Sequence, residues 1–184
     1  MKILVTLLTL SRIIIAPLLF ILIIFFQSFG WALVLFLTTS FTDYLDGFFA
    51  RKYNAESLIG EILDPIADKI IIIFLLFALS LHLESFFIAG LGAIMVSRDI
   101  WINGVREYNA RLSQSGKTKV TFLAKIKTSI QMLTISSYLF ALLIGSSFLL
   151  FLSDFLLFLS LMISLLTGFQ YTVNSIQTYE EQSN

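Results

Sequence analysis

The sequence predicts an all-α membrane protein with six transmembrane helices, and three observations support this fold class. Hydrophobic residues make up 58% of the 184 positions, charged residues only 13%, and the mean hydropathy is +0.92. The apolar residues lie in six runs, each close to the roughly 20 residues that a helix needs to cross a bilayer. Segments rich in Lys and Arg alternate with segments that lack them, as in a polytopic membrane protein. We expect a single domain over 1–184.

The first three predicted helices are separated by one short turn and one polar segment. The first helix, 3–26, is longer than the apolar core of a signal peptide and no small-residue cleavage site follows it, so we expect it to be retained. A turn at 27–30 leads to the second helix, 31–51, which ends at a basic pair. The third helix, 58–83, begins after a short polar segment.

The last three predicted helices show the same alternation, and they are 85–110, 120–144 and 148–173. A turn at 82–85 precedes the fourth helix, and a polar loop at 111–119 follows it. A Gly-Ser-Ser turn at 145–147 separates the last two helices. The polar residues from Asn174 onward predict a frayed tail.

The distribution of Lys and Arg predicts the orientation in the membrane, because short loops rich in these residues stay in the cytoplasm. None of the 12 lies in the turns at 27–30, 82–85 and 145–147. With six spans, both termini therefore face the cytoplasm. The expected location is the bacterial plasma (inner) membrane, or the mitochondrial inner membrane with the matrix as the equivalent side.

Charge and cysteine content exclude several functions. The net charge is zero, so nothing in the bulk charge indicates a nucleic-acid partner. The chain has no cysteine, which excludes disulfides, zinc–thiolate sites and thiol nucleophiles.

Four aspartates form two pairs inside this apolar chain. Asp43 and Asp46 are three residues apart, Asp64 and Asp68 are four apart, and each pair shares one helix face. An aspartate within a membrane helix costs roughly 2.5–3.5 kcal/mol, so the default interpretation is a functional site. One aspartate alone could equally cap a helix or pair with a nearby Lys or Arg, but four in this frame favour a site. Hard oxygen ligands predict Mg²⁺ or Mn²⁺, and two such ions clamp a phosphoryl or pyrophosphate group.

Small residues and one arginine accompany the acids. Gly47, Ala50 and Gly60 would let a ligand approach the helix backbone, although each alone is more typical of helix packing. Arg51 would supply a fork-shaped phosphate donor.

These residues resemble the signature of the CDP-alcohol phosphatidyltransferases, D-x2-D-G-x2-A-R-x8-G-x3-D-x3-D. All eight fixed positions are met here: Asp43, Asp46, Gly47, Ala50, Arg51, Gly60, Asp64 and Asp68. The resemblance implies a six-helix membrane enzyme, a homodimer, that uses two divalent cations to displace CMP from a CDP-linked lipid with a hydroxyl group. It implies that the four aspartates hold the metals and that Asp68 is also the base. It further implies that the cytidine diphosphate is bordered by Gly47, Ala50, Arg51 and Gly60.

A weaker resemblance over residues 8 to 131 indicates the acceptor. Four segments are similar to the phosphatidylglycerophosphate synthases: Thr9-Leu-Ser-Arg12, Asp64-Pro-Ile-Ala-Asp68-Lys69, Arg98-Asp99 with Val105-Arg106-Glu107, and Lys125-Ile-Lys127-Thr128. This group implies transfer of the phosphatidyl group from CDP-diacylglycerol to sn-glycerol 3-phosphate, which gives phosphatidylglycerol phosphate and CMP. The chain departs from the group at Asp99, at Ala124 and in lacking an Asn-Pro opening.

Three basic residues are expected to bind the phosphate of this acceptor, namely Arg98, Arg106 and Lys125. The alternative is that they only follow the positive-inside rule and contact anionic lipid. Arg12, near the start of the first helix, fits either role. Two other functions stay open: a cardiolipin synthase of the same family with phosphatidylglycerol as acceptor, and a divalent-ion or proton-coupled transporter. A transporter would place its acids at the membrane midplane, on paired repeats, and no repeat is visible here.

Overall fold

The protein is all-α, as predicted. The computed structural model describes residues 2–52, 58–111 and 122–183, and no strand occurs within these ranges. The helices are α1 Lys2–Ile24, α2 Phe29–Lys52, α3 Leu58–His82, α4 Phe86–Arg111, α5 Phe122–Ile144 and α6 Ser147–Ser183. The predicted polar loop after Arg111 lies outside the described residues, as does the segment 53–57.

Three short turns join the helices in pairs, as the sequence predicts, and each turn has one residue with positive φ. These residues are Gln27 (φ 48°), Glu84 (φ 48°) and Gly145 (φ 66°). A left-handed residue within three positions of a helix end lets the chain reverse while the last carbonyls keep hydrogen-bond partners. At the third turn, for example, the Ser146 N–H donates to the Ala141 carbonyl at 3.0 Å.

The C-terminal helix differs from the prediction. The tail from Asn174 was expected to fray, but α6 continues to Ser183. A contact to another helix explains the first turn of this extension, because the Ser175 hydroxyl donates to Asn109 Oδ1 of α4 at 2.8 Å. Gln and Glu residues, which favour helix, dominate the last part.

The helix neighbours form a closed circuit in the order α1, α2, α5, α6, α4, α3 and back to α1. The apolar core fills the half of this bundle that carries the three short turns. Its largest fully buried side chains include Tyr138, Phe36, Leu19 and Leu75. A cavity adjoins this core on the side away from the short turns and is lined by residues of all six helices.

The outer surface of the bundle is strongly apolar. Phe86 is 93% exposed, and Phe25, Trp31 and Phe148 are each more than two thirds exposed. Such a surface is unfavourable in water and suits lipid. Within the described residues, two helical segments are long and apolar enough to cross a membrane, Phe86–Asn109 and Ser147–Ile176. These features indicate a membrane protein.

Candidate active site

The helices bring part of the predicted site together at one end of the bundle. Asp43 is near the end of α2, Asp68 is in the first half of α3, and Arg98 is in the middle of α4. The other predicted residues lie on these helices and on α5, but their side chains are outside the described set. They are Asp46, Gly47, Ala50, Arg51, Gly60, Asp64, Arg106 and Lys125.

Arg12 of α1 connects the two described aspartates. Its Nη1 donates to Asp68 Oδ1 at 2.7 Å and also forms an ion pair with Asp43 Oδ1. Only 6% of the Arg12 side chain is exposed, so the guanidinium is a buried cation that needs anionic partners. The sequence left the role of Arg12 open. The structure assigns it to the aspartate pair.

Helix α1 connects the two helices that carry these aspartates. Over the described residues α2 and α3 do not pack directly, and α1 packs against both. Helix α1 therefore lies between them and presents Arg12 to both carboxylates.

The two carboxylates fit a cation site. Asp43 Oδ1 and Asp68 Oδ1 lie against one and the same nitrogen of Arg12, so a single positive charge is within reach of both. Hard carboxylate oxygens are the ligands that Mg²⁺ and Mn²⁺ prefer. Among the described side chains no group of three or more metal-binding residues converges; the side chains of Asp46 and Asp64 are not part of that set.

A cavity of about 520 Å³ adjoins this ion pair and receives side chains from all six helices. One side of the cavity is lined by Asp43, Asp68 and the Arg12 that bridges them. Arg98 lies on the wall contributed by α4, and the rest is largely apolar, with Ile71 and Met95 among the lining residues. The cavity therefore has room for a ligand with two charged groups. One group would bind through a cation held by the aspartates, and the other, an anion, would bind to Arg98.

Arg98 is held by two described contacts. Its Nη1 donates to Asp99 Oδ1 at 2.9 Å, and its Nη2 donates to Thr167 Oγ1 of α6 at 2.7 Å. Its Nε is buried and has no hydrogen-bond partner among the described atoms. Because an arginine offers five N–H donors, these two contacts leave donors for an anionic ligand.

Two residues of α6 contact the site, although the sequence patterns predict no site residue in that helix. Thr167 is 1% exposed and accepts from Arg98, and the neighbouring Gly168 packs against the same arginine. A weak signal was present. Ser160, Ser164 and Thr167 recur every three or four residues in an apolar run, and all three are buried. Small polar residues at this spacing mark the packed face of a membrane helix.

The arrangement places carboxylates that can take up a cation and an arginine that can bind an anion in one apolar cavity. This combination suits a ligand that carries phosphate groups next to apolar chains, because the phosphates need cations or basic donors and the chains need an apolar wall.

Comparisons with known proteins agree with this interpretation. The sequence pattern of the family described as CDP-alcohol phosphatidyltransferase matches residues 2–169. A protein of Wigglesworthia glossinidia brevipalpis is 40% identical over 138 residues, which cover 73% of this chain and 75% of the relative. Proteins of Salmonella choleraesuis (strain SC-B67) and Escherichia coli (strain K12) are 34% and 33% identical over 135 residues, 71% of this chain and 73% of each relative.

All three relatives are named CDP-diacylglycerol–glycerol-3-phosphate 3-phosphatidyltransferase. The family match extends over most of the chain and reaches into all six helices. This chain is a member of the CDP-alcohol phosphatidyltransferase family.

Proposed function

We propose that this protein transfers the phosphatidyl group of CDP-diacylglycerol to sn-glycerol 3-phosphate, producing phosphatidylglycerol phosphate and CMP. The observation that carries the proposal is the cavity in which the Asp43–Arg12–Asp68 cluster and Arg98 lie together. The three relatives, which are named for this reaction, support the choice of acceptor.

The donor half of the site consists of the four aspartates. Asp43, Asp46, Asp64 and Asp68 would hold two divalent cations, Mg²⁺ or Mn²⁺, whose charge would neutralise the pyrophosphate and stabilise the departing CMP. The shared approach of Asp43 and Asp68 to one buried cationic nitrogen supports this role. Gly47, Ala50, Arg51 and Gly60 would border the cytidine diphosphate on α2 and α3.

The chemical step is a displacement at the β-phosphorus of the donor. A carboxylate oxygen of Asp68 accepts the proton of the acceptor hydroxyl, whose oxygen forms the new bond to phosphorus. The bond from that phosphorus to the bridging oxygen breaks, and CMP leaves with the electron pair. Asp68 is suited to this position because its side chain is 46% exposed at the cavity, which leaves it accessible to a substrate.

The acceptor half of the site contains the basic residues. Arg98 would bind the phosphate of glycerol 3-phosphate, and Arg106 and Lys125 would add to the same positive region. The position of Arg98 in the cavity wall supports this assignment, and its contacts to Asp99 and Thr167 leave further guanidinium donors.

We further propose that all six helices span the bilayer with both termini in the cytoplasm and that the site opens to the cytoplasmic side of a bacterial inner membrane. The Lys and Arg distribution supports this orientation, and the bacterial relatives support the membrane. The homodimer implied by the family resemblance stays a prediction.

Product analysis tests the proposed reaction. Purified protein is incubated with CDP-diacylglycerol, Mg²⁺ or Mn²⁺, and a panel of alcohols that includes glycerol 3-phosphate, phosphatidylglycerol, inositol phosphate and serine. The expected result is release of CMP with glycerol 3-phosphate and formation of phosphatidylglycerol phosphate. Faster turnover with phosphatidylglycerol would instead identify a cardiolipin synthase, and absence of CMP release with every alcohol would contradict a transferase.

A further inference from the structure

We propose that Thr167 and Gly168 of α6 are positioning residues that fix the guanidinium of Arg98 for the acceptor phosphate. This inference rests on the proposed function, in which Arg98 binds that phosphate. It adds a role for the sixth helix, which contributes none of the charged residues predicted for the site.

Gly168 is required because Arg98 lies directly against its backbone. A Cβ atom added at this position would be 2.7 Å from Arg98 Nε, 3.3 Å from Nη2 and 3.4 Å from Cγ. A Cβ atom essentially never has a nonbonded contact shorter than 3.0 Å, so Gly168→Ala must displace the guanidinium. Since Gly168 lies in a helix without a positive φ, the reason for glycine here is the space that the arginine occupies.

Thr167 fixes the orientation of the same group. Its Oγ1 lies 2.9 Å from both the Ile163 and Ser164 carbonyls and donates its hydrogen to this pair. The hydroxyl is therefore oriented to accept from Arg98 Nη2 at 2.7 Å. Arg98 Nη1 donates to Asp99 Oδ1, so two of the three guanidinium nitrogens form hydrogen bonds with the protein. The third, Nε, is buried without a described partner.

A guanidinium held in this way is preorganised. Arg98 has a long side chain with many rotamers, and binding an anion would otherwise require it to lose that freedom. Seating it against a glycine and a threonine fixes one rotamer before the acceptor arrives. We expect this preorganisation to raise the affinity for the acceptor and to have little effect on binding of the lipid donor.

The test compares apparent KM values for glycerol 3-phosphate and CDP-diacylglycerol in four variants. Gly168→Ala and Thr167→Val should raise the KM for glycerol 3-phosphate by about 10- to 100-fold, because misplacing a binding group by about 1 Å can cost that much. Thr167→Ser, which keeps the hydroxyl, should stay close to wild type. Gly90→Ala is the matched control, since a Cβ there meets nothing within 4 Å, and it should change neither KM.

The same variants in an Arg98→Ala background show whether they act through the arginine. The expected result is that Gly168→Ala and Thr167→Val cause no further loss there, because the group that they position is gone. An equal loss with and without Arg98, or an equal rise in both KM values, would show that α6 packing is responsible and overturn the proposal.

Failure of the proposed function gives a different result. If Arg98→Ala leaves the KM for glycerol 3-phosphate unchanged, Arg98 does not bind the acceptor, and the proposed acceptor site is wrong. If Arg98→Ala raises it but Gly168→Ala and Thr167→Val do not, the acceptor site stands and only the positioning role is refuted. Should Gly168→Ala not accumulate in the membrane, the comparison of Thr167→Val with Thr167→Ser decides the question.

Discussion

Replacing a single carboxylate by an amide tests the donor half of the site at the scale of one residue. Asp43→Asn and Asp68→Asn keep the shape of the side chain and remove the charge that would bind a divalent cation. We expect each variant to lose CMP release in Mg²⁺ or Mn²⁺ while still accumulating as a folded protein.

Asp154 provides the matched control. It belongs to α6 near the short-turn end, where it accepts a hydrogen bond from Tyr138, and it does not line the cavity. Asp154→Asn should therefore retain CMP release. Wild-type turnover in Asp43→Asn, or full activity of the native protein in a chelator, would argue against the two-metal site.

The acceptor half is tested by removing a cationic side chain. Losing a charge-assisted hydrogen bond costs about 1.5–3 kcal/mol, so Arg98→Ala and Arg106→Ala should each raise the KM for glycerol 3-phosphate about 10- to 150-fold. The KM for CDP-diacylglycerol should change much less. Steady-state kinetics with one substrate varied at a time measures both values, and equal changes in the two would mean that the helix scaffold had been damaged.

At the scale of helices, a polar contact between α5 and α6 should contribute to stability without contributing to activity. The Tyr138 hydroxyl donates to Asp154 Oδ1 at 2.5 Å, and the Ser137 and Ser153 hydroxyls are 2.7 Å apart. Hydrogen bonds between membrane helices contribute about 1–2 kcal/mol at most. We expect Tyr138→Phe to lower the unfolding free energy in detergent by about 1 kcal/mol, because Asp154 then loses a buried donor.

Ser137→Ala is the control for that change, because Ser153 keeps its bond to the Leu149 carbonyl at 2.7 Å when Ser137 is truncated. Its effect on stability should be smaller than that of Tyr138→Phe. Both variants should keep wild-type kcat, since the pair lies away from the cavity. A large loss of activity in Tyr138→Phe would show that the two ends of the bundle are coupled.

At the scale of the whole molecule, the absence of native cysteines permits a direct test of orientation. Single cysteines at Ser28 and Ser146, in two of the short turns, should react with an impermeant thiol reagent added outside the cell. A cysteine at Ser115, in the basic loop, should react only after the cytoplasmic face is opened. Outside labelling at position 115 would invert the proposed topology.

The sequence predicted the helices better than their arrangement. Long apolar runs separated by turns and charges determine where a membrane helix begins and ends, and α1 ends at Ile24 where Phe26 was expected. The order of neighbours could not be predicted in this way. Membrane helices are apolar on all sides, so hydrophobic periodicity does not indicate which face packs, and the position of α1 between α2 and α3 follows only from the structure.

The charged residues of the site could be predicted from the sequence, because burying a charge in an apolar chain is costly. The residues that matter through close packing could not. Asp43 and Asp68 were identified because an acidic residue in an apolar chain is unfavourable unless it has a function. The structure shows that both contact Nη1 of Arg12. Thr167 and Gly168 gave no comparable signal, since hydroxyl residues and glycines are common in membrane helices. Their importance depends on a close approach of Arg98, which is a property of the packed bundle.

The buried position of Arg12 has a consequence for biogenesis. A chain is made from its N-terminus, so Arg12 is synthesised before either aspartate that it contacts. Each later acidic helix then meets a neutralising charge that is already in place. Conversely, removing only the arginine leaves two acids in an apolar bundle without that partner.

We therefore expect Arg12→Ala to lower the amount of protein that accumulates in the membrane. Adding Asp43→Asn and Asp68→Asn should restore the amount, because the negative charges that Arg12 offsets are removed together with it, even though the triple variant would be inactive. Quantitative blotting of membrane fractions measures both effects. Arg12 would then act in assembly as a counter-ion supplied in advance, a function that is complete before the first substrate binds.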